Sequence, residues 1–561
     1  MFYEGKIWIG MNDKKDKISI VPKMANRHGL IAGATGTGKT VTLKVLAESF
    51  SDAGVPVFLA DIKGDLSGMI SPGEDSENMR IRREKFGLDE AGYIYKSYPT
   101  AFWDIFGENG IPLRATVSEM GPILMGKIMN LNDTQSDILS CLFKMSDDRG
   151  LLLVDLKDLK AMLQYASENA AELSLEYGNI SKQSVAAIIR AVVALEAAGG
   201  ERFFSEPAVD ITDFFKTAVD GRGVINILDG RRLVNDPKLY SAFLLYLIAE
   251  LYELLPEVGD LDRPRMVFFF DEAHLLFNDI SKSLEAKLEQ TVKLIRSKGV
   301  GIYFITQSPR DIPDGVLGQL GNKIQHALRA YTPSEQKAIK VAAQSFTVNP
   351  EFDTQKVLSE LGTGEALIST LDEDGIPIMV EKCSVLAPVS LMGPADEAAV
   401  KNAIISNNLY LSYKDAKETD SAYEYLERLS HQRELAKEEE LKAKAEAAAE
   451  KARQKEEADK EKRRLKEEEV ERKAMERAEL AAQKAAEKEA LQREKEEAKK
   501  QAAKYKTVKK AANSAARSAA GTVGRSIGQS IGESVAGDFG KKVGGNVMSQ
   551  LGRSLLGNLF K

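Results

Sequence analysis

The stretch "GLIAGATGTGKTVTL" at residues 29–43 decides the fold of this chain. It begins as an apolar strand, ends with the periodicity of a helix, and between them fits the pattern G-x-x-x-x-G-K-[ST] in full. In this context backbone N–H groups face inward around phosphate oxygens, and the start of the helix adds partial positive charge. The pattern predicts a phosphate-binding loop (P-loop) formed by Gly33, Ala34, Thr35, Gly36, Thr37, Gly38, Lys39 and Thr40.

The last two residues of the loop predict the ligands and part of the chemistry. Lys39 is expected to reach the β- and γ-phosphates of a nucleoside triphosphate and to act in its hydrolysis, and the Thr40 hydroxyl is expected to bind Mg²⁺. A chance glycine-rich turn is the alternative, and the correct flanking strand and helix argue against it. The sequence therefore predicts ATP and Mg²⁺ as cofactors.

A second motif lies more than two hundred residues downstream, in "RMVFFFDEAHLLF" at residues 265–277. Five apolar residues form a buried strand that ends in Asp271 and Glu272. Asp271 is expected to hold Mg²⁺ through its water shell, and Glu272 to polarise the attacking water. His274 on the same turn either links the γ-phosphate to movement elsewhere or has a structural role.

Further polar residues follow other predicted strands. Gln307, in "FITQSP", is expected at the end of the next strand, where an amide can sense the γ-phosphate. Arg329, in "NKIQHALRA", could reach the γ-phosphate of a neighbouring subunit and stabilise transition-state charge, as could Arg296 or Arg310. Surface salt bridges are the alternative role for each arginine. Asp61, at the end of "VPVFLAD", would either orient Mg²⁺ or water, or cap the following turn.

Repeated alternation of strands and helices predicts an α/β fold whose mainly parallel sheet is covered on both faces. "NKIQHALRA" and "EALISTLDEDGIPIMVEKC" are predicted to close the sheet as edge strands, and Ser118 and Asn132 to cap helices of an inserted helical region. The predicted units are the first part of the core with the P-loop (1–75), a mainly helical insertion (76–221), the second part of the core (222–385), a connector (386–415), a long charged helix or coiled coil (416–510) and a Gly-rich basic tail (511–561).

The long charged tract favours a solvated single helix over a coiled coil. Many Glu residues precede Lys or Arg by three or four positions, which supports a helix. Apolar residues at five-residue spacing, such as Leu465 and Val470, make a poor heptad. In the tail, glycines four apart would let helices pack closely, so that segment either packs on a partner or a membrane surface or is disordered.

Composition bounds the setting of the protein. Its two cysteines, Cys141 and Cys383, cannot form a disulfide framework, and no signal peptide or membrane-spanning helix is predicted, so a cytoplasmic location is expected. The formal net charge of −7 does not favour nucleic-acid binding. However, residues 501–561 carry ten Lys and Arg against two acids, and such a tail is either solvated or in contact with nucleic acid or an anionic surface.

Together these motifs resemble those of the bacterial YjgR-type, HerA-like ATPases, in the HerA/FtsK branch of P-loop motors. The resemblance runs from about residue 3 to 390, and its stretches are "MANRHGLIAGATGTGKTVTL", "GVPVFLADIKGDLSGM", "SEMGPILMGKIMNLNDTQ", "FFFDEAHLLF", "FITQSPRDIPDGVLGQLGNKIQHALRA" and "LGTGEALIS". It implies a RecA-like core interrupted by a helical domain, Mg²⁺-dependent ATP hydrolysis and a homo-oligomeric, hexameric ring. By position, the family's ATPase motifs match Lys39, Thr40, Asp271, Glu272, Gln307 and, less closely, Arg329.

HerA and FtsK relatives move double-stranded DNA through such a ring, and that is the leading expectation here. Two departures from the family are expected: the N-terminal β-barrel of HerA is absent, and the long charged helix is additional. The alternative is an ATP-switched assembly factor or scaffold that acts on a protein or membrane surface through the helix and tail. A DEAH-box helicase is not expected, because such enzymes need a second RecA domain after this motif, and the stretch between residue 274 and the connector at 386 is too short for one.

Overall fold

The computed structural model describes residues 1–277, 282–330 and 332–495. The chain divides into two compact units, Met1–Leu441 and Lys442–Lys561. The predicted tail, 511–561, and the end of the predicted charged helix, 496–510, lie outside the described residues.

The first unit is built on one mixed sheet of thirteen strands within the described residues. The strands are β1 (Phe2–Tyr3), β2 (Lys6–Asn12), β3 (Lys17–Ile20), β4 (Gly29–Ala32), β5 (Val57–Asp61), β6 (Thr100–Asp104), β7 (Ile111–Pro112), β8 (Ile225–Asp229), β9 (Met266–Phe270), β10 (Val300–Thr306), β11 (Asn322–His326), β12 (Glu365–Ser369) and β13 (Glu381–Val385). Their order is β1-β2-β13-β12-β11-β4-β10-β9-β5-β8-β6-β7, with β3 paired to β2.

The eight strands from β11 to β7 run parallel, as the strand–helix alternation predicts. Every residue of β4, β5, β9 and β10 is buried. A parallel sheet has helices on both faces, so its central strands need apolar side chains on both sides, which explains the continuous run "MVFFF". The α/β class and mainly parallel sheet are confirmed.

The remaining five strands are antiparallel and extend the sheet beyond β11. The prediction that the late strands form the sheet edge is therefore wrong. β11 lies inside the sheet between β4 and β12, and β13 pairs with β2. The N-terminal strands β1 to β3 form this edge of the sheet instead, because the late strand β13 pairs with β2.

Seventeen α-helices accompany the sheet in the described residues. They are α1 (Lys39–Asp52), α2 (Glu77–Phe86), α3 (Val117–Ile128), α4 (Asp133–Asp148), α5 (Leu156–Glu168), α6 (Ala170–Tyr177), α7 (Lys182–Leu195), α8 (Glu201–Phe203), α9 (Pro237–Leu254), α10 (His274–Phe277), α11 (Lys282–Ile295), α12 (Asp314–Leu317), α13 (Pro333–Gln344), α14 (Thr354–Glu360), α15 (Glu397–Ser406), α16 (Asn408–Tyr413) and α17 (Ala422–Lys495).

The helical insertion consists of α3 to α8, a narrower range than the predicted 76–221. Strands β6 and β7 fall within that range and belong to the sheet beside β8. Asn132 caps α4, as the sequence predicts. The cap of α3 is Thr116 rather than Ser118, because Thr116 and Glu119 form a reciprocal capping box. Ser118 instead accepts a hydrogen bond from the Leu153 N–H.

One described stretch, Lys182–Phe203, has the length and mean hydropathy (1.3) of a membrane-crossing helix. It joins α7 to α8 through a π-helical turn, and 28 % of its apolar window is buried. Val185, Ile188 and Val192 form its buried face, where α7 packs against α4 and α5. No membrane-spanning helix was predicted, whereas the described residues contain this one candidate by length and composition. One face of it packs inside the helical insertion.

The helix that follows the P-loop is buried along most of its length and binds the connector. On α1, Glu48 accepts hydrogen bonds from the Val389 and Ser390 N–H groups (2.8 and 3.2 Å). Lys44, one turn earlier, donates to the Leu391 carbonyl. Buried charges persist only where such partners satisfy them. The connector therefore continues the packing of the core.

Candidate active site

The strand order brings the separate sequence motifs to one edge of the sheet. β4 leads into the P-loop and lies next to β10, β10 lies next to β9, and β9 lies next to β5. The carboxyl ends of parallel strands all lie at the same edge of the sheet. The P-loop, Gln307, Asp271 and Asp61 therefore lie at this edge, each at or directly after the end of its strand. The order of these four strands could not be deduced from their order along the chain.

The P-loop is held by the ends of three strands. The Gly33 N–H donates to the Thr306 carbonyl (3.2 Å), the Ala34 N–H to the Ala327 carbonyl (2.9 Å), and the Gly364 N–H to the Thr37 carbonyl (3.0 Å). Gly33 has φ +154°, and a Cβ there would lie 2.5 Å from the His326 Cβ. Only glycine fits this position, so the loop can curl tightly over β11.

The P-loop lysine closes the loop on itself. Lys39 Nζ donates to the carbonyls of Gly33 (2.6 Å) and Ala34 (3.2 Å). Burial lowers the pKa of Lys39, and the nearby carboxylates of Asp271 and Glu272 oppose that effect. The ammonium thus lies at the mouth of the anion-binding loop, within the electrostatic influence of the second motif.

The P-loop, the turn after β5 and the second motif line a common cleft, which we call the phosphate cleft. Its polar lining residues include Lys39, Thr40, Asp61, Lys63, Asp271 and Glu272. Burial, together with the neighbouring Glu272, raises the pKa of Asp271 to about 6. The Asp271 carbonyl accepts a hydrogen bond from the buried Tyr240 hydroxyl (2.8 Å), and Asp271 Oδ1 accepts one from the Glu272 N–H (2.9 Å). The second motif is therefore fixed by its backbone as well as by its strand.

Glu272 occupies an unusual backbone conformation, with φ +48°. Such values are rare outside glycine and mark positions that the surrounding fold imposes. His274 Nδ1 lies 3.2 Å from Glu272 Oε2, close enough for an ion pair but without hydrogen-bond alignment. This buried carboxylate oxygen therefore accepts no hydrogen bond within the described part of the chain.

Gln307 and Asp61 lie on either side of the second motif. Gln307 directly follows β10 and is exposed. Asp61 accepts hydrogen bonds from the Gly64 N–H (2.6 Å) and the Leu66 N–H (2.9 Å), and burial raises its pKa. Asp61 thus both caps the turn after β5 and lines the phosphate cleft, which combines the two alternatives left open by the sequence.

The three candidate arginines occupy different places. Arg329 follows β11 and donates to the carbonyls of Ser359 (2.7 Å) and Leu361 (3.0 Å). Arg310 follows β10, at the same edge of the sheet as the P-loop, and is exposed. Arg296 precedes β10, at the opposite edge of the sheet, 3.9 Å from the Asp260 carboxylate. The fold therefore separates Arg296 from the phosphate cleft of its own subunit.

Sequence reasoning missed the histidine that supports the P-loop. His326 ends β11 and is fully buried. One of its ring nitrogens lies 2.9 Å from the Thr42 hydroxyl on α1, and the other lies 2.9 Å from the Glu365 carbonyl. Burial lowers its pKa to about 4, so the ring is neutral at pH 7. The stretch "NKIQHALRA" contains this residue, but its partners are distant in sequence.

The residues of the phosphate cleft fit ATP and Mg²⁺. The glycine-rich P-loop opens directly onto the N-terminus of α1, which favours anions. A threonine hydroxyl and an aspartate carboxylate are the hard oxygen ligands that Mg²⁺ takes alongside phosphates. The buried Oε2 of Glu272 accepts no hydrogen bond within the described residues, and an unsatisfied polar atom of this kind is consistent with a functional role.

Comparisons with known proteins agree with this geometry. The family model described as "Helicase HerA-like C-terminal" matches residues 6–538. The "DNA double-strand break repair helicase HerA" of Sulfurisphaera tokodaii is 25 % identical over 381 residues, covering 66 % of this chain and 67 % of the relative. The "DNA import protein CedB" of Sulfolobus acidocaldarius is 24 % identical, covering 67 % of this chain and 55 % of the relative.

Solved structures that are similar to this chain include the bacterial conjugative coupling protein TrwB. The identity is 14 % and the TM-score 0.45, and the match covers 68 % of this chain and 89 % of TrwB. VirB4 of Thermoanaerobacter pseudethanolicus is similar at 17 % identity and a TM-score of 0.43, covering 68 % and 96 % of the two chains.

The fold and motifs define a RecA-like P-loop ATPase. Within that class, the chain belongs to the HerA-like C-terminal helicase family, whose model covers nearly all of it. The resemblance drawn from the sequence motifs is confirmed.

Proposed function

We propose that this protein is a Mg²⁺-dependent ring ATPase, a homo-hexamer that uses ATP hydrolysis to translocate double-stranded DNA in the cytoplasm. The observation that carries the proposal is the convergence of the P-loop and the Asp271–Glu272 pair on adjacent strand ends, in a chain of a helicase family. The relatives named as a DNA repair helicase and a DNA import protein support DNA as the polymer.

Substrate binding exchanges one set of contacts of Lys39 for another. Its ammonium now donates to the Gly33 and Ala34 carbonyls, and a triphosphate in the loop offers stronger, charge-assisted acceptors at its β- and γ-phosphates. The P-loop N–H groups and the α1 N-terminus bind the remaining oxygens. Thr40 and Asp271 would hold Mg²⁺, which supplies charge neutralisation at the phosphates.

Glu272 is proposed to orient and polarise the attacking water. Its Oε2 accepts no hydrogen bond within the described chain, so no protein donor uses the acceptor capacity that this role requires. Gln307, at the end of the strand between β4 and β9, is proposed to sense the γ-phosphate. His274, close to the same Glu272 oxygen, is proposed to couple this state to α10.

Arg329 is proposed to act on the nucleotide of the neighbouring subunit. Two backbone carbonyls already hold its exposed guanidinium, which lowers the entropic cost of positioning it. A subunit-mixing experiment tests this. Arg329→Ala subunits, which lack the donor, and Glu272→Gln subunits, which lack the base, should restore part of each other's turnover when mixed. No restoration at any ratio would argue against action in trans.

A scaffold function is the second candidate, and the anchoring of α17 favours it. The buried Asp158 on α5 accepts hydrogen bonds from the Ser421 hydroxyl (2.6 Å) and the Tyr423 N–H (2.8 Å), which fixes the start of the helix on the insertion. A charged helix rooted in this way could carry an ATP-dependent signal to a protein or membrane partner.

ATP turnover with and without linear duplex DNA distinguishes the two candidates. A DNA motor predicts a several-fold rise with DNA that weakens as salt increases, because phosphate contacts are screened. Glu272→Gln should abolish turnover in both conditions. Turnover that ignores DNA but is lost in the variant would keep the ATPase and favour the scaffold.

A further inference from the structure

The turn after β5 holds a lysine that the sequence motifs do not assign to any role. Both carboxylate oxygens of Asp61 accept backbone hydrogen bonds from this turn, at Gly64 and Leu66. Gly64 takes the positive φ (+81°) that the turn requires. The backbone of Lys63 is therefore fixed, while its side chain is exposed.

This turn lies directly beside the second motif. β5 and β9 pair in parallel with Leu59 opposite Phe269, and the same register continued by two residues sets Asp61 beside Asp271. Lys63 lines the phosphate cleft together with Lys39 and the two acids of the second motif. Within the described residues its ammonium has no hydrogen-bond or ion-pair partner, unlike Lys39.

The phosphate cleft has more acidic than basic side chains, and with a triphosphate bound its charge stays negative even when Mg²⁺ is counted. Asp61, Asp65, Asp271 and Glu272 place four carboxyl groups there, against Lys39 and Lys63. A triphosphate brings further negative charge, and its γ-phosphoryl oxygens carry it in the transition state. A preorganised cation at the point where charge develops is among the largest contributions to catalysis.

We propose that the Lys63 ammonium binds the γ-phosphate of the nucleotide held by its own subunit and stabilises charge on it during hydrolysis. This inference rests on the proposed ATP hydrolysis at the phosphate cleft, and it makes Lys63 a catalytic residue acting in cis. The contact lies within one subunit and does not involve DNA, so it can be tested on the full chain without DNA.

The experiment compares Lys63→Gln, Lys63→Arg and Lys401→Gln in the full chain without DNA. Lys401, on α15, lines a neighbouring groove together with Lys63 but not the phosphate cleft, so its substitution removes the same charge nearby. Steady-state ATP turnover gives kcat and KM. Equilibrium binding of ADP and of the β,γ-imido analogue of ATP shows whether an effect is specific to the γ-phosphate.

Lys63→Gln is expected to lower kcat by about 10- to 100-fold. It should weaken the imido analogue at least about five-fold while ADP affinity stays within about two-fold, because only the analogue carries a γ-phosphate. Lys63→Arg should recover most of both losses, and Lys401→Gln should match the wild type. These outcomes together support the proposal.

Equal weakening of ADP and the imido analogue by Lys63→Gln would show a structural role and overturn the proposal, as would unchanged turnover and unchanged affinities. Wild-type turnover that is indifferent to DNA would overturn the DNA motor instead, and it would leave the ratio of analogue to ADP affinity as a valid test of Lys63.

Discussion

The phosphate cleft and the described second unit, residues 442–495 of α17, use charged side chains in opposite ways. Behind the P-loop that borders the cleft, polar groups meet partners far away in sequence: the His326 ring lies 2.9 Å from the Thr42 hydroxyl, 284 positions earlier. In the helix, partners lie one turn apart, as in Lys473–Glu469 (2.6 Å) and Lys460–Glu456 (2.9 Å). Active-site geometry therefore depends on the whole fold, whereas the helix depends on local pairing.

Burial follows the same division. The strand before Asp271 is wholly buried, and burial raises the pKa of the Asp271 carboxyl group. On α17, the apolar Leu465, Val470 and Met475 are 53 %, 67 % and 70 % exposed. The five-residue spacing of these residues makes a poor heptad, and the solvated single helix stays a prediction. Substitutions in the two regions should accordingly differ by orders of magnitude in effect.

The largest effect is expected at the general base. Glu272→Gln keeps the size of the side chain but cannot accept a proton, so ATP turnover should fall by about 10²- to 10⁴-fold while the fold is retained. Glu469→Gln, the same substitution on α17, is the matched control and should leave turnover unchanged. Comparable losses in both variants would break the contrast between the two regions.

A large loss of stability is expected on removing the histidine behind the P-loop. His326→Ala leaves a cavity and strands the Glu365 carbonyl, which together should cost about 2–4 kcal/mol of the free energy of unfolding. The exposed His431 on α17 provides the control, and His431→Ala should change stability by less than about 0.5 kcal/mol. Denaturant unfolding checks both, and a negligible effect of His326→Ala would contradict the long-range support described here.

The buried carboxyl group of the second motif predicts a dependence of stability on pH. Burial, and then the neighbouring Glu272, raises the pKa of Asp271 to about 6. Between the ordinary Asp pKa of about 4 and this value, the folded state keeps a proton that the unfolded chain loses. The free energy of unfolding should therefore fall as pH rises through this window. Above the window the folded state bears the full penalty of burying the ionised Asp271 carboxylate.

Asp271→Asn removes this penalty. Without nucleotide at pH 8, it should raise the free energy of unfolding by about 1–3 kcal/mol, although it impairs turnover. Thermal unfolding at pH 4 and pH 8 measures the effect, and the gain should vanish at the lower pH. A gain that is equal at both values would show that the ionisation of Asp271 is not its source.

The smallest effect is expected for a single ion pair of the helix. Lys473→Ala removes the exposed contact with Glu469 and should change the stability of the helix by about 0.5 kcal/mol or less. Circular dichroism of the full chain should show no measurable change. A cooperative loss of helix would reveal interactions of this segment that the local account omits.

The contrast also explains what the sequence could predict. The P-loop, Asp271 and Glu272 follow local patterns that depend on neighbouring residues, and the structure places them at one edge. The edge position assigned to "NKIQHALRA" was wrong, because pairing of β13 with β2 joins residues more than 370 positions apart. His326 and Glu48 were missed for the same reason: their partners become neighbours only through the fold. Lys63 was missed because only the pairing of β5 with β9 brings its turn beside the second motif.

The boundaries show a similar limit. The start of the charged tract and its helical period are local properties, and α17 begins at Ala422, six residues after the predicted 416. By contrast, strands β6 and β7 lie in a range assigned to helices. They are short, β7 pairs with β6, and β6 pairs with β8, which begins only at residue 225. Roles for Gln307 and Arg329 remain predictions.

The most direct test of the central claim is displacement of a triplex-forming strand from linear duplex DNA by the full chain. If hydrolysis at the phosphate cleft moves DNA, the wild type should displace the strand with ATP, and neither the β,γ-imido analogue nor the Glu272→Gln variant should support displacement. A wild type that hydrolyses ATP in the presence of DNA, yet leaves the triplex intact, would contradict the claim that this ATPase is a DNA translocase.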